Sequence, residues 1–536
     1  MTQQWTRRRD VLVLLAVAAL ALAVRLAVLP FATTDGSNPA ARVWIAWRWL
    51  DDPGVITHGV WGPLHFYLIG AVLALTNDPV TAPILLHVLF GVGSAVLLYI
   101  FVRIEFTGPN SALLAALAFA VYPVGLSNSV SVRAEAPFVF FVLASMVLLA
   151  LARTRAPVTV LAVAAGLMLT MASMLRYEAW LLTPLLALLL WPRIVPTLVF
   201  LSVASVFPVF WMIGNMLAYG DPLYGVSYAQ SWELESMGRA ALSLSERLRA
   251  AIGFLFNAAR GLTPFLALLA LAGGLLALLR HRRVALWLIP PAGLLALLAW
   301  SVANGTLVPK VSYTAMAGTM ALPFVALTFQ ALGAERWRAA LVGLAAIATV
   351  GIVAVSSCAS CLGTVGLGAL RGTSPFPRFE NQATARELSE IVARNLGDPP
   401  AGIVSDFYGY DGTNWVLLLS RTHPDRIFLA PWAPNQPLDE IGFAAFAQAR
   451  PQGLLIMRPG SRFARQISMD SELGTADLAG HPVRLEQLAS VAWPENDWHP
   501  VGPDDVGEER IVVYRYERTD LPEATSPTAE DDPAPG

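Results

Sequence analysis

The sequence predicts an all-α polytopic membrane domain followed by a small α/β domain on the outer side of the membrane. Apolar residues make up 56% of the 536 residues and charged residues only 14%, a composition that excludes a soluble globular domain of this size. Apolar segments near the length of a bilayer span recur up to Val355. The tail that follows has the mixed pattern of a folded soluble unit.

The first apolar segment, Val11 to Leu29, follows three arginines at positions 7 to 9. Its length and the missing small-residue cleavage site predict a retained membrane anchor rather than a signal peptide. Together with the segments given next, about eleven spans are expected. These are Ala82 to Val102, Ala112 to Val124, Pro137 to Ala152, Pro157 to Leu175, Tyr177 to Trp191, Val195 to Leu217, Ile252 to Leu279, Val284 to Val302, Tyr313 to Phe329 and Ala339 to Val355.

The shorter segment Trp61 to Leu75 decides the topology. If it spans the membrane, most arginines of the short loops face outward, which violates the positive-inside rule. If it is re-entrant or interfacial, these arginines face the cytoplasm, and we prefer this interpretation. The protein is then expected in the plasma membrane as a multi-pass protein, with a cytoplasmic N-terminus and an exoplasmic C-terminal domain.

Three regions are therefore predicted. Residues 1–357 form the transmembrane domain, whose first outer loop, residues 30–80, contains an interfacial helix and the re-entrant segment. Residues 358–518 form the exoplasmic α/β domain, with a helix at 381–396, a helix near 413–420 and strands at 402–404, 426–429, 453–457 and 511–516. The acidic, proline-rich residues 519–536 are expected to be disordered.

Cys358 and Cys361 are the only cysteines, and they lie at the outer end of the last predicted span. An oxidising compartment would permit a disulfide there, whereas simple packing of two small residues at a helix end is the alternative.

The outward topology gathers several charged residues at the outer membrane border, which suggests a functional site. Asp35 opens the first outer loop, directly before the helix start Asn38-Pro39. Val43, Trp44, Trp47 and Leu50 then form an apolar face that predicts a helix lying in the interface, with its tryptophans at headgroup level. Asp35 would be held at the water–lipid boundary, although a simple Asp-Gly turn is the alternative.

Other charged residues at this border have a structural and a functional interpretation. Glu135 could form a local ion pair with Arg133 or act as a second acidic site, because a carboxylate next to hydrocarbon needs a partner. Arg176 and Glu178 are expected to find different partners, since residues close in sequence on a helix do not face each other; both could also be interface anchors. Lys310 is either a snorkelling lysine or a clamp on a lipid phosphate. His58 is a further candidate for substrate binding, and no metal site is assigned to the histidines.

Several segments resemble the GT-C superfamily of integral membrane glycosyltransferases. They are the early Asp35, Trp61-Gly-Pro-Leu-His-Phe-Tyr67, Arg133-Ala-Glu135-Ala-Pro-Phe, Leu175-Arg-Tyr-Glu178-Ala-Trp-Leu-Leu and Gly220-Asp-Pro-Leu-Tyr224. The pattern is similar to the protein O-mannosyltransferase-like and aminoarabinose-transferase-like bacterial enzymes (glycosyltransferase families 39 and 83). The resemblance covers about residues 1 to 330, and no single motif is diagnostic.

This resemblance implies a polyprenyl-phosphate-linked sugar donor, a glycan, lipid or protein acceptor on the outer face, and an inverting transfer. It implies that Asp35 is the catalytic base, with Glu135 as a second catalytic acidic residue. Arg133, Arg176, Glu178, Lys310 and His58 are assigned to substrate binding. Gly36 follows Asp35 where such enzymes often have a second acidic residue, so the use of a divalent metal as a cofactor stays open. The alternative function is a polytopic transporter or lipid flippase, which would also carry charges inside the membrane.

Overall fold

The computed structural model describes residues 7–29, 37–106, 109–236, 243–304, 306–307, 311–331, 382–405, 417, 419–430, 439–457, 461–470, 472–492 and 510–521. The chain divides into two compact units, Met1–Phe379 and Glu380–Gly536. The predicted boundary near residue 358, both cysteines and the last predicted span all fall outside the described residues.

The described part of the first unit is helical. Its helices are α1 (Arg7–Val28), α2 (Ser37–Asp51), α3 (Leu64–Thr76), α4 (Thr81–Glu105), α5 (Pro109–Ala120), α6 (Pro123–Ser129), α7 (Glu135–Thr154), α8 (Val158–Ser173), α9 (Glu178–Ala187), α10 (Ile194–Ala204), α11 (Val206–Tyr219), α12 (Tyr224–Ser236), α13 (Leu244–Gly261), α14 (Pro264–Arg280), α15 (Arg282–Ala285), α16 (Ile289–Ala303) and α17 (Ala315–Ala331). A 3-10 turn, Val311–Thr314, precedes α17.

Six helical stretches among the described residues are long and apolar enough to cross a membrane, or seven if the bent pair α5–α6 is one span. The bend of 58° between α5 and α6 follows from Pro123, which starts α6 after Tyr122 in extended conformation. Shorter apolar helices cover the predicted segments at 157–175, 177–191 and the C-terminal half of 252–279. The protein is thus a multi-pass membrane protein. Ten of the eleven predicted spans fall within the described residues, and six or seven helical stretches there are long and apolar enough to cross a membrane.

The predicted single span from Ile252 to Leu279 is wrong. The chain breaks into α13 and α14, where Thr263 has a φ of 73° and its side chain accepts a hydrogen bond from the Leu266 amide. Pro264 occupies the first turn of α14, a position that suits proline because no intrahelical donor is needed there. An N-terminal cap followed by proline starts a new helix at this boundary.

Helix α3 supports the re-entrant or interfacial interpretation of Trp61 to Leu75. Its 13 residues extend only about 20 Å, shorter than the hydrocarbon core of about 30 Å. Helix α2 packs along α3 and buries Val43 and Trp44. Trp44 is therefore covered by protein, and the prediction that the tryptophans of α2 lie at headgroup level stays a prediction.

The second unit contains a six-stranded mixed sheet in the order β2-β1-β3-β6-β5-β4. The strands are β1 (Gly402–Ser405), β2 (Ile427–Leu429), β3 (Gln452–Met457), β4 (Thr475–Leu478), β5 (His481–Ala492) and β6 (Arg510–Arg518). β1 pairs in parallel with β2 and β3, whereas β3–β6, β6–β5 and β5–β4 are antiparallel. Three helices accompany the sheet: α18 (Gln382–Asn395), α19 (Glu440–Ala449) and α20 (Arg462–Gln466).

The predicted helix at 381–396 and the four predicted strands are confirmed, and the fold class of a helical membrane domain with a small α/β domain is confirmed with them. The hairpin of β4 and β5 was missed. The predicted helix near 413–420 lies mostly outside the described residues.

Candidate active site

Glu135 is the first residue of α7 and is buried. Its partner is Arg176, from the loop between α8 and α9: Arg176 Nη1 donates to Glu135 Oε1 at 2.7 Å. Glu135 therefore forms a hydrogen-bonded ion pair with a residue 41 positions later in the chain. The charge of Arg133 still interacts electrostatically with the same carboxylate. The carboxylate of Glu135 thus interacts with both Arg176 and Arg133, as part of a larger charged cluster.

Arg176 also binds Glu178, which corrects the expectation that these two residues seek different partners. Arg176 Nε and Nη2 donate to Glu178 Oε1 at 3.0 and 2.5 Å. The spacing rule for helices does not apply, because α9 begins only at Glu178 and Arg176 precedes it in a loop. Burial would lower the pKa of Arg176, but the carboxylates of Glu178 and Glu135 outweigh burial and raise it.

An aromatic ring completes the surroundings of Arg176. Its guanidinium lies 5.0 Å from the centre of the Tyr313 ring, in the 3-10 turn before α17. Such a cation–π contact stabilises a charged guanidinium that is shielded from water. The cluster therefore joins the start of α7, the loop before α9 and the turn before α17.

Arg42 on α2 is a site residue that sequence reasoning missed. Its charge interacts electrostatically with Glu135, Arg176 and Arg133. The guanidinium lies 4.7 Å from the centre of the Trp61 ring, and Nη1 contacts His65 Nδ1 at 3.1 Å. Burial lowers the pKa of Arg42 to about 10, so the side chain stays charged at neutral pH.

The loop that carries Trp61 is fixed against the loop that carries Arg176. The Leu64 amide donates to the carbonyl of Met174 at 3.2 Å, and a side chain on Gly62 would collide with that same carbonyl. Tyr177 Oη donates to the Val60 carbonyl at 3.0 Å, and Trp211 Nε1 donates to Tyr177 Oη at 3.1 Å. Glycine is thus required at position 62 for the close approach that brings Arg42 and Arg176 to one site.

The structure does not place the remaining predicted site residues, His58, Asp35 and Lys310, in this cluster. His58 is exposed; its Nδ1 lies 2.9 Å from Thr57 Oγ1, and its ring packs edge-on against Tyr219. Asp35 and Lys310 lie outside the described residues. Among the described residues no group of three or more His, Cys, Asp or Glu side chains is arranged to hold a metal ion.

The described cluster contains three arginines (Arg42, Arg133 and Arg176) and two carboxylates (Glu135 and Glu178). The charge of these five side chains is therefore positive by one unit. Arginine clusters of this kind bind phosphate, because each guanidinium presents several donors in a fixed plane. The cluster can hold an anionic group beside a carboxylate.

The chain is similar to several known membrane glycosyltransferases. A sequence model of the dolichyl-phosphate-mannose-protein mannosyltransferase family matches residues 58–213. ArnT from Cupriavidus metallidurans, solved bound to undecaprenyl phosphate, superposes with a TM-score of 0.63 at 14% identity, over 93% of this chain and 97% of that one. The chain has the GT-C glycosyltransferase fold.

The chain also superposes on the apo form of the same ArnT, with a TM-score of 0.60 at 14% identity and the same coverage of both chains. The oligosaccharyltransferase of Archaeoglobus fulgidus, solved with zinc and sulfate, gives a TM-score of 0.52 at 14% identity, over 87% of this chain and 70% of that one. No curated protein matches the chain by sequence. The resemblance drawn from the sequence motifs is confirmed. The family match includes Glu135, Arg176 and Glu178 but ends before the second unit.

Proposed function

We propose that this GT-C protein transfers a sugar from a polyprenyl-phosphate donor to an acceptor on the outer face of the membrane, with inversion at the anomeric carbon. The fold supports a lipid-linked donor, since the superposing ArnT structure contains undecaprenyl phosphate. The acceptor is a glycan, a lipid or a protein. The outward position follows from the arginine bias of the short loops.

The observation that carries the proposal is which groups pair with the charge of Arg42. Arg176 uses three of its N–H groups on Glu135 and Glu178, so its charge is already balanced. Arg42 has no ion pair with a carboxylate within the described part of the chain; its one hydrogen bond there is to His65. A half-buried cation that forms no carboxylate ion pair among the described residues is suited to bind an anion supplied by the substrate. The donor phosphate is such an anion.

The proposed reaction is a single displacement. The acceptor hydroxyl oxygen attacks the anomeric carbon opposite the phosphate, and Asp35 takes the hydroxyl proton. The bond between the anomeric carbon and the phosphate oxygen breaks, and its electron pair leaves with the polyprenyl phosphate. Arg42, with Lys310, stabilises the charge that develops on the phosphate. One displacement inverts the anomeric centre.

Glu135 has a supporting role in this scheme. Together with Glu178 it fixes the guanidinium of Arg176 in one orientation, over the ring of Tyr313. Arg176 keeps further N–H groups for the donor sugar or phosphate, because a guanidinium has five. The resemblance assigned Glu135 a catalytic role, and its direct ion pair with Arg176 favours positioning of that arginine.

A transporter or flippase is the alternative. Such proteins commonly carry their charged residues near the membrane midplane, whereas Glu135 and Glu178 lie at the first residues of helices and Arg176 lies in a loop. The GT-C fold also favours transfer over transport.

Arg42→Gln tests the proposal. Purified protein in lipid nanodiscs is assayed with a polyprenyl-phosphate sugar at varied concentration, and kcat/KM for the donor should fall by about tenfold to a hundredfold, as expected for loss of a charged hydrogen bond. Arg48→Gln is the matched control, because Arg48 lies on the same helix and is exposed. If both variants kept the wild-type kcat/KM, Arg42 would not bind the donor.

A further inference from the structure

Two buried histidines connect Arg42 to the backbone of another helix. His65 on α3 and His87 on α4 are both fully buried. Their rings are nearly perpendicular, and the two Nε2 atoms lie 2.7 Å apart. His65 Nδ1 faces Arg42 Nη1 at 3.1 Å, and His87 Nδ1 faces the carbonyl of Pro83 at 2.6 Å. Arg42, the two imidazole rings and the Pro83 carbonyl thus form a continuous chain of hydrogen bonds, called the histidine row below.

The end groups of this row determine where each proton lies. A carbonyl can only accept, so His87 Nδ1 carries a hydrogen and its neutral ring accepts at Nε2. His65 Nε2 must then donate to it, which leaves His65 Nδ1 as an acceptor. An arginine can only donate, and Arg42 Nη1 does so to this atom. Every donor in the row meets one acceptor, and both rings are neutral.

An additional proton on either ring would break the row at Arg42. If His87 were charged, its Nε2 would donate, His65 would have to accept there and donate at Nδ1, and two donors would meet at Arg42. If His65 were charged, its Nδ1–H would face the guanidinium directly. The hydrogen bond between Arg42 and His65 therefore depends on the protonation state of His87 on α4.

We propose that His65 and His87 are positioning residues that hold the guanidinium of Arg42 in one orientation for the donor phosphate. The Trp61 ring contacts the guanidinium of Arg42 at 4.7 Å and limits its movement toward that side. The hydrogen bond to His65 fixes how the guanidinium is rotated. His87 in turn fixes the tautomer of His65, as an outer partner does for a ligand histidine. This inference rests on the proposed function of Arg42.

The two amide side chains that resemble histidine separate the role of the His65 Nδ1 atom from the size of the ring. His65→Asn places an amide oxygen near the position of Nδ1 and can still accept from Arg42. His65→Gln places its amide near Nε2 and loses that acceptor. We expect His65→Gln to lower donor kcat/KM by about tenfold or more, and His65→Asn to retain clearly more activity than His65→Gln.

A double-mutant cycle shows whether His65 acts through Arg42. In the Arg42→Gln background, His65→Gln should cause little further loss, because the group it positions is already absent. A purely structural role would give the same fractional loss in both backgrounds. His87→Gln, which can accept at the Nε2 position, and His87→Leu, which cannot, repeat the comparison at the second ring. They serve as the test if His65→Gln does not fold.

The outcomes are distinguishable. Wild-type protein that neither binds polyprenyl phosphate nor turns over a polyprenyl-phosphate sugar refutes the proposed function, and the positioning role with it. Active wild-type protein whose His65→Gln and His87→Leu variants keep wild-type kcat/KM refutes the positioning role alone. Additive losses with Arg42→Gln refute it as well. Non-additive losses with partial rescue by His65→Asn support it.

Discussion

Removing the charge of Glu135 should destabilise the first unit by a predictable amount. Glu135→Gln keeps the length of the side chain and an acceptor oxygen, and it removes one negative charge 2.7 Å from Arg176 Nη1. The two side chains are only 11% and 14% exposed, so solvent screens the pair weakly. With charge centres about 4 Å apart and an effective dielectric of about 20, the Coulomb energy is about 4 kcal/mol.

Two effects reduce this value. The amide avoids the desolvation cost of the buried carboxylate, and Arg176 keeps its hydrogen bonds to Glu178. A net loss of about 1.5 to 3 kcal/mol remains, the range measured for hydrogen bonds to charged groups. The thermal unfolding midpoint of the purified protein, measured in one detergent for all variants, should fall by several degrees.

The matched controls come from the same unit. Asp52→Asn removes an exposed carboxylate at the end of α2 and should leave the midpoint unchanged. Glu178→Gln should cost a similar amount to Glu135→Gln, and the double variant should cost more than the sum, since Arg176 then has neither carboxylate. A wild-type midpoint for Glu135→Gln, or strict additivity in the double variant, would contradict the role assigned to this pair.

Three further predictions concern the site and the topology. Asp35→Asn should lower transfer by about a hundredfold or more at unchanged expression, as for loss of a general base, and near-normal transfer by the purified variant would exclude that role. Lys310→Gln should raise donor KM at constant kcat if the lysine binds ground and transition states alike, and should also lower kcat if it acts on the leaving phosphate; an unchanged donor kcat/KM would return it to a headgroup-snorkelling role. After replacement of both native cysteines, Asp52→Cys and Ser490→Cys should react with an impermeant thiol reagent on intact cells and Arg155→Cys only after lysis, and the reverse pattern would overturn the outward orientation.

Much of the fold was predictable because its signals are strong and local. Long apolar segments, the continuously apolar strand β3 and strand β6 each show their element in the sequence. The break between α13 and α14 was missed because residues 252–279 were taken as one apolar segment, although Thr263-Pro264 is a helix-start signal. The β4–β5 hairpin was missed because its strand β5 alternates between apolar and charged residues only in part.

The candidate site was predictable as a set of charged residues and not as a set of contacts. Glu135, Arg176 and Glu178 stand out because charges beside hydrocarbon need partners, but their pairing depends on how α7, α8 and α9 pack. Arg42 appears in the sequence as an ordinary arginine of an interfacial helix, and only the packing of α2 on α3 shows its role. His87 did carry a signal, since an ionisable residue within a long apolar helix marks a functional position.

The proposed transfer reaction has its clearest consequence in the cell envelope of a strain that lacks this protein. Mass spectrometry of the envelope glycans, lipids and glycoproteins should show the loss of one sugar from one class of acceptor, together with accumulation of the corresponding polyprenyl-phosphate sugar. Expression of the wild-type protein should restore the sugar, and expression of Asp35→Asn or Arg42→Gln at equal level should not. An unchanged envelope in the deletion strain, or full restoration by both variants, would contradict the assignment of this protein as a glycosyltransferase.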